Sequence, residues 1–224
     1  MPRRSRIAPG GVVFHCLNRG NDSRELFSDD GDFAAFERVI EATLEVVPTR
    51  LLAYCLMHNH WHLLLWPRKA GELSAFMHRL TTMHVRRWHR HRRSDGRGHV
   101  YQGTYKSFPV QEDRHFLTVA RYVERNPLRA KLVERAEDWQ WSSLWRREKG
   151  TPQQRGLLAE WPTPRPSGWP AIVNRPLMQK EQAALEESLR RGRPLGDDAW
   201  QAATGQRLDL QRTLRPRGRP KRKA

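Results

Sequence analysis

At 224 residues the chain can build one full hydrophobic core with a small appended part, and its formal net charge is +17. Its 41 lysines and arginines, most of them arginine, predict a polyanionic partner, because a guanidinium group binds phosphate through two hydrogen bonds and releases counterions. No apolar run approaches the roughly 20 residues of a membrane-spanning helix, so a membrane partner is set aside and nucleic acid is expected.

The N-terminal segment MPRRSRIAPGG is basic and lacks the apolar core of a signal peptide. We therefore expect the protein to remain in the cytoplasm. Cys16 and Cys55 fall within predicted strands and belong to no metal-binding spacing such as CxxC. They are interpreted as buried thiols without a function.

The first half of the chain alternates between strand and helix patterns. A β-branched apolar run over residues 11–17 predicts the first strand. Apolar residues at three- and four-residue steps predict a helix from an N-cap at Asp30 to about Val47. Two apolar runs within residues 51–67 then predict a pair of strands joined by a turn at His58 and Asn59.

The pattern continues with a second helix over residues 71–91, whose outer face is basic. Residues 100–110 predict a last strand, interrupted near Gly103, and Pro109 places that strand at an edge of the sheet. A third helix is predicted from about Asp113 to near Pro127. The order βαββαβα predicts an α+β fold, a ferredoxin-like (split βαβ) antiparallel sheet with helices on one face.

The composition changes after the predicted first domain, residues 1–148. Residues 149–224 are rich in proline and glycine and predict a linker, short helices and a basic tail. The tail RPRGRPKRKA resembles an AT-hook, whose arginines enter a narrow A·T-rich minor groove. A second RGRP sequence at residues 191–194 precedes a predicted helix and is interpreted as structural.

Three histidines stand within five residues at positions 58, 60 and 62. On a strand, His60 and His62 project from the same face because side chains alternate. Two neighbouring imidazoles can chelate a divalent cation if a third ligand is supplied from elsewhere. A buried strand with hydrogen-bonded histidines is the alternative interpretation, but each unsatisfied buried imidazole costs about 1 to 3 kcal/mol.

The predicted third helix carries a candidate for that third ligand. Tyr122 and Asn126 are four residues apart, so they project from the same helix face. With His60 and His62 they would form a site of two imidazoles and an amide oxygen beside a phenol. From the helix alone, the alternative is a half-buried tyrosine and an asparagine that caps the helix before Pro127.

Five segments together resemble the single-tyrosine HUH transposases and, within them, the IS200-like REP-associated tyrosine transposases. They are FHCLNRGND, YCLMHNHWHLLL, YQGTYKSF, RYVERNPLRAKLV and WQWSS, between about Gly11 and Ser143. The combination of the histidine strand with RYVERNPLRA is the specific part of the resemblance. The sequence departs from the family at His58, where proline is usual, and this affects the expected conformation of the local turn.

The resemblance implies that Tyr122 is a nucleophile and that His60, His62 and Asn126 bind Mg²⁺ or Mn²⁺. It implies a single-stranded DNA endonuclease and strand transferase that acts at hairpin-forming repetitive (REP-type) sequences through a 5′-phosphotyrosine. Two alternatives stay open, a metal-dependent nuclease in which water attacks and a metal-stabilised nucleic-acid-binding protein without covalent catalysis. The expected partners are single-stranded DNA and DNA hairpins, with the protein a monomer or a homodimer.

Basic and polar side chains near these segments are the predicted DNA contacts. A charge run is usually only a solvated face, but the single sign of the charges on the second helix favours phosphate binding. The predicted contacts are Asn18, Arg19, Arg79, Arg86, Arg87, Arg90, Arg121, Arg125, Arg129, Arg215, Arg217, Arg219 and Lys221.

Overall fold

A four-stranded antiparallel sheet forms the centre of the computed structural model, which describes residues 7–94 and 98–215. The strands are β1 (Val13–Arg19), β2 (Arg50–Met57), β3 (His60–Trp66) and β4 (Lys106–Val110). Their order, β2-β3-β1-β4, is that of a ferredoxin-like sheet, so the predicted fold class is confirmed. The edge position expected for the strand with Pro109 is also confirmed.

Three long helices pack on this sheet, and shorter ones follow them in the chain. The long helices are α1 (Asp30–Val46), α2 (Glu72–His91) and α3 (Arg114–Arg129). The shorter ones are α4 (Ser143–Lys149), α5 (Pro152–Arg155), α6 (Trp169–Asn174), α7 (Gln179–Arg191), α8 (Asp198–Arg207) and α9 (Gln211–Leu214). Within the described ranges, no helix is long and apolar enough to cross a membrane.

The helices lie on both faces of the sheet, which corrects the expectation that they share one face. α1 and α2 cover the face that carries Phe14 and Trp61, whereas α3 covers the face that carries Val13 and Phe108. The sequence contained a signal for this arrangement, because three consecutive leucines at 63–65 are fully buried. Consecutive apolar residues in a strand indicate a sheet that is covered on both sides.

The ends of α1 and α3 are set by capping residues and by proline. Asp29, one residue before the predicted N-cap, accepts a hydrogen bond from Asp32 N at 2.9 Å and so caps α1. Asp113, where the third helix was predicted to begin, is the N-cap of α3. α3 continues through Pro127 and ends at Arg129, because a proline in the last turn removes only one helical hydrogen bond. Asn126 is therefore a buried residue inside the helix and does not cap it.

The chain that follows α3 runs along the edge of the sheet formed by β2. Leu56 N donates a hydrogen bond to Trp141 O at 2.9 Å, and Ala159 N donates one to Leu51 O at 2.8 Å. These bonds use backbone groups that an edge strand would otherwise present to solvent. Contacts therefore cross the predicted boundary between residues 148 and 149.

A later segment covers the opposite edge. Leu195 N donates to Pro109 O and Leu195 O accepts from Gln111 N, both at 2.9 Å, so Leu195 forms a parallel bridge with β4. Between the two edges, α6 packs on α3 through Trp169 and Val173, which are buried. Residues 149–195 thus complete the core on the α3 face.

The internal RGRP sequence has the structural role expected from its sequence context. Gly192 ends α7 at φ 71°, a conformation that glycine adopts readily. Arg191 Nη1 lies 3.1 Å from Glu187 Oε1, and Arg193 Nε donates to Gln201 Oε1 at 2.8 Å. Arg191 therefore binds a side chain of its own helix, α7, and Arg193 binds one of α8.

Candidate active site

β3 and α3 bring the predicted catalytic and metal-binding residues together on one face of the sheet. The ring centroid of His62 lies 5.0 Å from that of His60 and 5.6 Å from that of Tyr122, with interplanar angles of 84° and 89°. Asn126 is buried one turn after Tyr122, and its Nδ2 donates to Tyr122 O at 3.0 Å. The two imidazoles and the phenol that the spacing selected therefore lie together, and Asn126 stands one helical turn from the phenol.

The turn between β2 and β3 directs its histidine away from this site. His58 Nδ1 lies 3.1 Å from Phe27 O, and the ring contacts Phe33 and Trp139. These residues belong to or pack against the core under α1. His58 is thus part of the packing on the opposite side of the sheet.

His15 is a third histidine at the site, fully buried, and the sequence motifs did not reveal it. Its Nε2 lies 2.9 Å from His62 Nδ1, and its ring packs on Phe108 with centroids 4.8 Å apart. β1 pairs with β3 so that Leu17 stands opposite His62. Because side chains alternate, His15 then shares the face of His62, and this could have been found only with the strand pairing known.

Burial lowers the pKa of all three histidines at the site. The pKa of His15 falls to about 3, and that of His62 falls well below its ordinary value. The pKa of His60 falls to about 4 through burial, with the charges of Arg19 and Arg129 acting in the same direction. The imidazoles are therefore neutral at pH 7, the form that binds metal ions.

Burial acts in the opposite sense on the phenol. It raises the pKa of Tyr122, which is 6% exposed, whereas the charge of Arg129 lowers that pKa. The Arg129 guanidinium carbon lies 5.3 Å from the centroid of the Tyr122 ring. A protonated phenol is a weak nucleophile, so an attack by Tyr122 would need a group that removes the proton.

The donor atoms at the site fit a divalent cation. His62 Nε2 is buried and has no hydrogen-bond partner among the residues that the structure describes. Leaving such an atom unsatisfied costs about 1 to 3 kcal/mol, and coordination removes this cost. The same part of the chain contains no metal-binding group of three or more His, Cys, Asp or Glu side chains. The amide oxygen of Asn126, one helical turn from Tyr122, is the candidate for a third protein ligand.

A buried carboxyl group anchors the helix that carries the tyrosine. Glu124 is fully buried and accepts hydrogen bonds from Ser143 Oγ and Trp169 Nε1, both at 2.6 Å. These bonds join α3 to α4 and α6. They give a structural reason for the glutamate in RYVERNPLRA and for the second serine of WQWSS.

The predicted DNA contacts at the end of β1 lie next to the histidines. Arg19 is exposed and pairs across the strands with His60. Asn18 is buried, and its Nδ2 donates to Gly103 O at 3.3 Å. A cleft of about 340 Å³ opens here and is also lined by Lys106.

The predicted contacts on α2 lie on a different surface. Arg86, Arg87 and Arg90 are exposed, whereas Arg79 is half-buried. Arg86 lines a groove of about 730 Å³ between α2 and residues 98–105. The exposed guanidinium groups on this helix are therefore accessible to a phosphate backbone.

The predicted contacts on α3 are partly engaged with the chain itself. Arg121 forms an ion pair with Glu181 at 3.1 Å, and Arg125 Nε donates to Arg175 O at 3.1 Å. Arg129 is exposed and faces Tyr122.

The remaining predicted contacts belong to the C-terminal tail. Arg215 is exposed, whereas Arg217, Arg219 and Lys221 lie outside the described residues.

Comparisons with known proteins identify the family. Among solved structures, a REP-associated tyrosine transposase bound to a REP hairpin is 16% identical with a TM-score of 0.54, over 71% of this chain and 88% of that chain. A proposed transposase from Deinococcus radiodurans R1 is also 16% identical, over 55% of this chain and 95% of that chain, but its TM-score of 0.40 is too low to support an argument. No curated protein matches the sequence.

At this identity, the likeness to the REP-associated transposase shows the fold alone. The family follows from the sequence, because the family model described as IS200-like transposase matches residues 11–126, which is more than half of the chain. That range begins just before β1 and ends at Asn126, so it contains His60, His62 and Tyr122. The chain belongs to the IS200-like transposase family.

Proposed function

We propose that this transposase cleaves and rejoins single-stranded DNA through a 5′-phosphotyrosine on Tyr122. Membership of the family supports DNA binding and DNA cleavage in transposition. The observation that carries the finer proposal is the 5.6 Å between the ring centroids of His62 and Tyr122. A phenol beside two neutral imidazoles combines a nucleophile with ligands for a cation.

The proposed reaction exchanges one phosphodiester bond for another. The phenol of Tyr122 gives up its proton to solvent and Oη attacks the scissile phosphorus, while the bond from phosphorus to O3′ breaks and O3′ takes up one proton from solvent to become a hydroxyl. The 5′ phosphate stays on the tyrosine. Because the bond energy is retained, a 3′-hydroxyl from another strand can attack the phosphotyrosine and rejoin the DNA without ATP.

His60, His62 and Asn126 are the proposed ligands of Mg²⁺ or Mn²⁺. When bound, such a cation withdraws charge from the non-bridging oxygens of the scissile phosphate and fixes the phosphorus for in-line attack. The two imidazoles stay neutral because they are buried. Arg129 stabilises the phenolate of Tyr122 from beside the ring.

The proposed substrate is a hairpin-forming repetitive sequence with unpaired flanks. This proposal is supported by the structurally similar transposase, which is bound to a REP hairpin. The exposed arginines of α2 supply sequence-independent attraction for phosphates, and the basic residues of the C-terminal tail add to it. Asn18 and Arg19 would contact the strand next to His60, whereas Arg121 and Arg125 reach DNA only by leaving their partners in α7 and at Arg175.

A single experiment separates this proposal from the two alternatives. A single-stranded oligonucleotide that contains a hairpin is labelled in the segment 3′ of the cleavage position, which is the segment that keeps the 5′ phosphate. It is incubated with the protein and Mg²⁺ or Mn²⁺, and the mixture is then denatured. A label that stays on the protein supports the phosphotyrosine. Free labelled fragments would indicate attack by water, and intact DNA would indicate a binding protein without cleavage.

A further inference from the structure

His15 and His62 share one hydrogen bond between their rings. His15 Nε2 and His62 Nδ1 are 2.9 Å apart, so one of these nitrogens carries the proton and the other accepts it. The remaining nitrogens, His15 Nδ1 and His62 Nε2, are buried and have no hydrogen-bond partner among the described residues. Two neutral arrangements of the pair are therefore possible, and they differ in the nitrogen of His62 that carries the proton.

The two arrangements have opposite consequences for metal binding. If His15 donates, His62 carries its own proton on Nε2, and that atom then has no lone pair for a cation. If His62 donates from Nδ1, its Nε2 keeps the lone pair. Metal-binding histidines are commonly held in the second way, with the other ring nitrogen donating to an acceptor that fixes the tautomer. In this structure the hydrogen-bond partner of His62 Nδ1 is a second imidazole.

The position of His15 is set by the sheet itself. The residue is fully buried in β1, between β3 and β4, where it stands opposite Leu64 and Phe108. Its ring packs on Phe108 at an interplanar angle of 31°. In a close-packed interior this ring cannot turn without displacing its neighbours. His15 Nε2 is therefore a fixed point against which His62 is oriented.

We propose that His15 is a positioning residue that accepts the Nδ1 proton of His62 and so keeps the Nε2 lone pair of His62 available for a divalent cation. The inference rests on the proposed function, because it requires His62 to be a ligand. His15 itself contacts neither the DNA nor the cation. It acts only through the ring of His62.

The first test measures Mn²⁺ affinity of the full chain by the electron paramagnetic resonance signal of free Mn²⁺. His15→Leu removes the acceptor and keeps an apolar side chain, whereas His15→Gln offers its amide oxygen as a replacement acceptor. His84→Leu is the matched control, because His84 is also a buried histidine but lies on the opposite face of the sheet. We expect His15→Leu to weaken Mn²⁺ binding about 10- to 100-fold, His15→Gln to restore most of it, and His84→Leu to leave it unchanged.

Three results of this titration would overturn the inference. They are unchanged affinity in His15→Leu, equal weakening in His15→Leu and His84→Leu, and failure of His15→Gln to restore binding. His62→Ala separates this inference from the proposed function. If His62→Ala binds Mn²⁺ as the wild type does, the proposed metal site fails together with the role of His15. If His62→Ala loses binding and His15→Leu does not, only the role of His15 fails.

A second measurement needs no variant and so does not depend on how well one folds. In the ¹⁵N-labelled wild-type protein with Mg²⁺, two-bond ¹H–¹⁵N correlations identify the protonated nitrogen of each histidine. We expect the His62 proton on Nδ1. A His62 proton on Nε2 in the Mg²⁺-bound protein would contradict the proposed arrangement directly.

Discussion

The two faces of the sheet both bury histidines and tyrosines, but they pair the polar atoms differently. Under α1 and α2, His84 Nδ1 lies 2.6 Å from the hydroxyl of Tyr101, which also accepts a hydrogen bond from Trp61 Nε1 at 3.0 Å. Under α3, His62 Nε2 has no partner within the described ranges, although Tyr122 packs beside the ring. The side chains are buried to similar extents, since His84 is 6% and His62 2% exposed. Burial therefore does not distinguish these two histidines, whereas the unpartnered ring nitrogen of His62 does.

The largest expected effect comes from removing the hydroxyl of Tyr122, and removing the hydroxyl of Tyr101 on the other face is its control. Tyr122→Phe should abolish the covalent DNA adduct and strand joining, because phenylalanine has no atom that can attack phosphorus. Folding and DNA binding should be retained, because the ring is kept. The measurement is the protein-linked label after denaturation.

Tyr101→Phe is the matched control for this change. It removes hydrogen bonds to Trp61 and His84 and should lower the free energy of unfolding by about 1 to 3 kcal/mol. The adduct should nevertheless form. An adduct that survives Tyr122→Phe and disappears in Tyr101→Phe or Tyr105→Phe would show that the nucleophile has been assigned to the wrong tyrosine.

The second comparison removes a histidine from each face. His60→Ala or His62→Ala should reduce cleavage at least 100-fold while DNA affinity changes little, because in the proposed function these side chains hold the cation and the arginines bind the phosphates. His84→Leu should cleave at the rate of the wild type at a temperature where both are folded. Cleavage rates in Mn²⁺ and filter binding of the same oligonucleotide measure the two quantities. Full cleavage by His62→Ala would refute the metal site.

The pH dependence of stability tests the buried histidine under α1 and α2 by itself. Burial lowers the pKa of His84 to about 3 from the ordinary value of 6.5, which applies in the unfolded chain. Between these two values the unfolded chain binds a proton that the folded chain does not bind, so the free energy of unfolding falls as the pH drops toward 3. Between pH 7 and pH 5 this residue contributes a loss of about 2 kcal/mol.

Urea denaturation at pH 7 and pH 5 measures this loss. The His84→Leu variant should lose less unfolding free energy than the wild type over that interval, because it lacks one of the linked protons. Equal losses in the two proteins would mean that His84 takes up its proton between pH 7 and pH 5 in the folded protein as well as in the unfolded chain. The buried network with Tyr101 would then need a different description.

The smallest effect is expected from charge on the outer surfaces of the helices. Replacing Arg86, Arg87 and Arg90 on α2 by glutamine should weaken DNA binding and reduce the slope of log affinity against log salt by about one for each phosphate that no longer binds a guanidinium group. Arg121→Gln should change that slope less, because Arg121 is paired with Glu181. Affinity measured at several salt concentrations tests both. A larger slope change for Arg121 would show that α7 moves away from α3 when DNA binds.

The two pairs of candidate site residues could be chosen from the sequence because each pair depends only on the local geometry of one strand or one helix. The spacing of His60 and His62 on a strand and of Tyr122 and Asn126 on a helix fixes which side chains share a face, whatever the rest of the chain does. His15 could not be predicted in the same way. Its contact with His62 depends on which strands pair and in which register.

The partners that the arginines of α3 find within the chain could not be predicted either. Arg121 meets Glu181 across 60 residues of sequence, and nothing local in RYVERNPLRA indicates that partner. The end of α3 differs from the prediction for a related reason. Proline disfavours a helix in isolation, but Pro127 is buried here with Asn126 in the packed last turn, and tertiary contacts outweigh the local preference.

The coverage of both sheet edges limits how copies of this protein can associate. The backbone groups of β2 bond to the segments around Trp141 and Ala159, and those of β4 bond to Leu195. A second molecule cannot add its strand at these positions unless the covering segment first detaches. The chain that follows α3 thus acts against polymerisation through the sheet, because it occupies these positions on both edges.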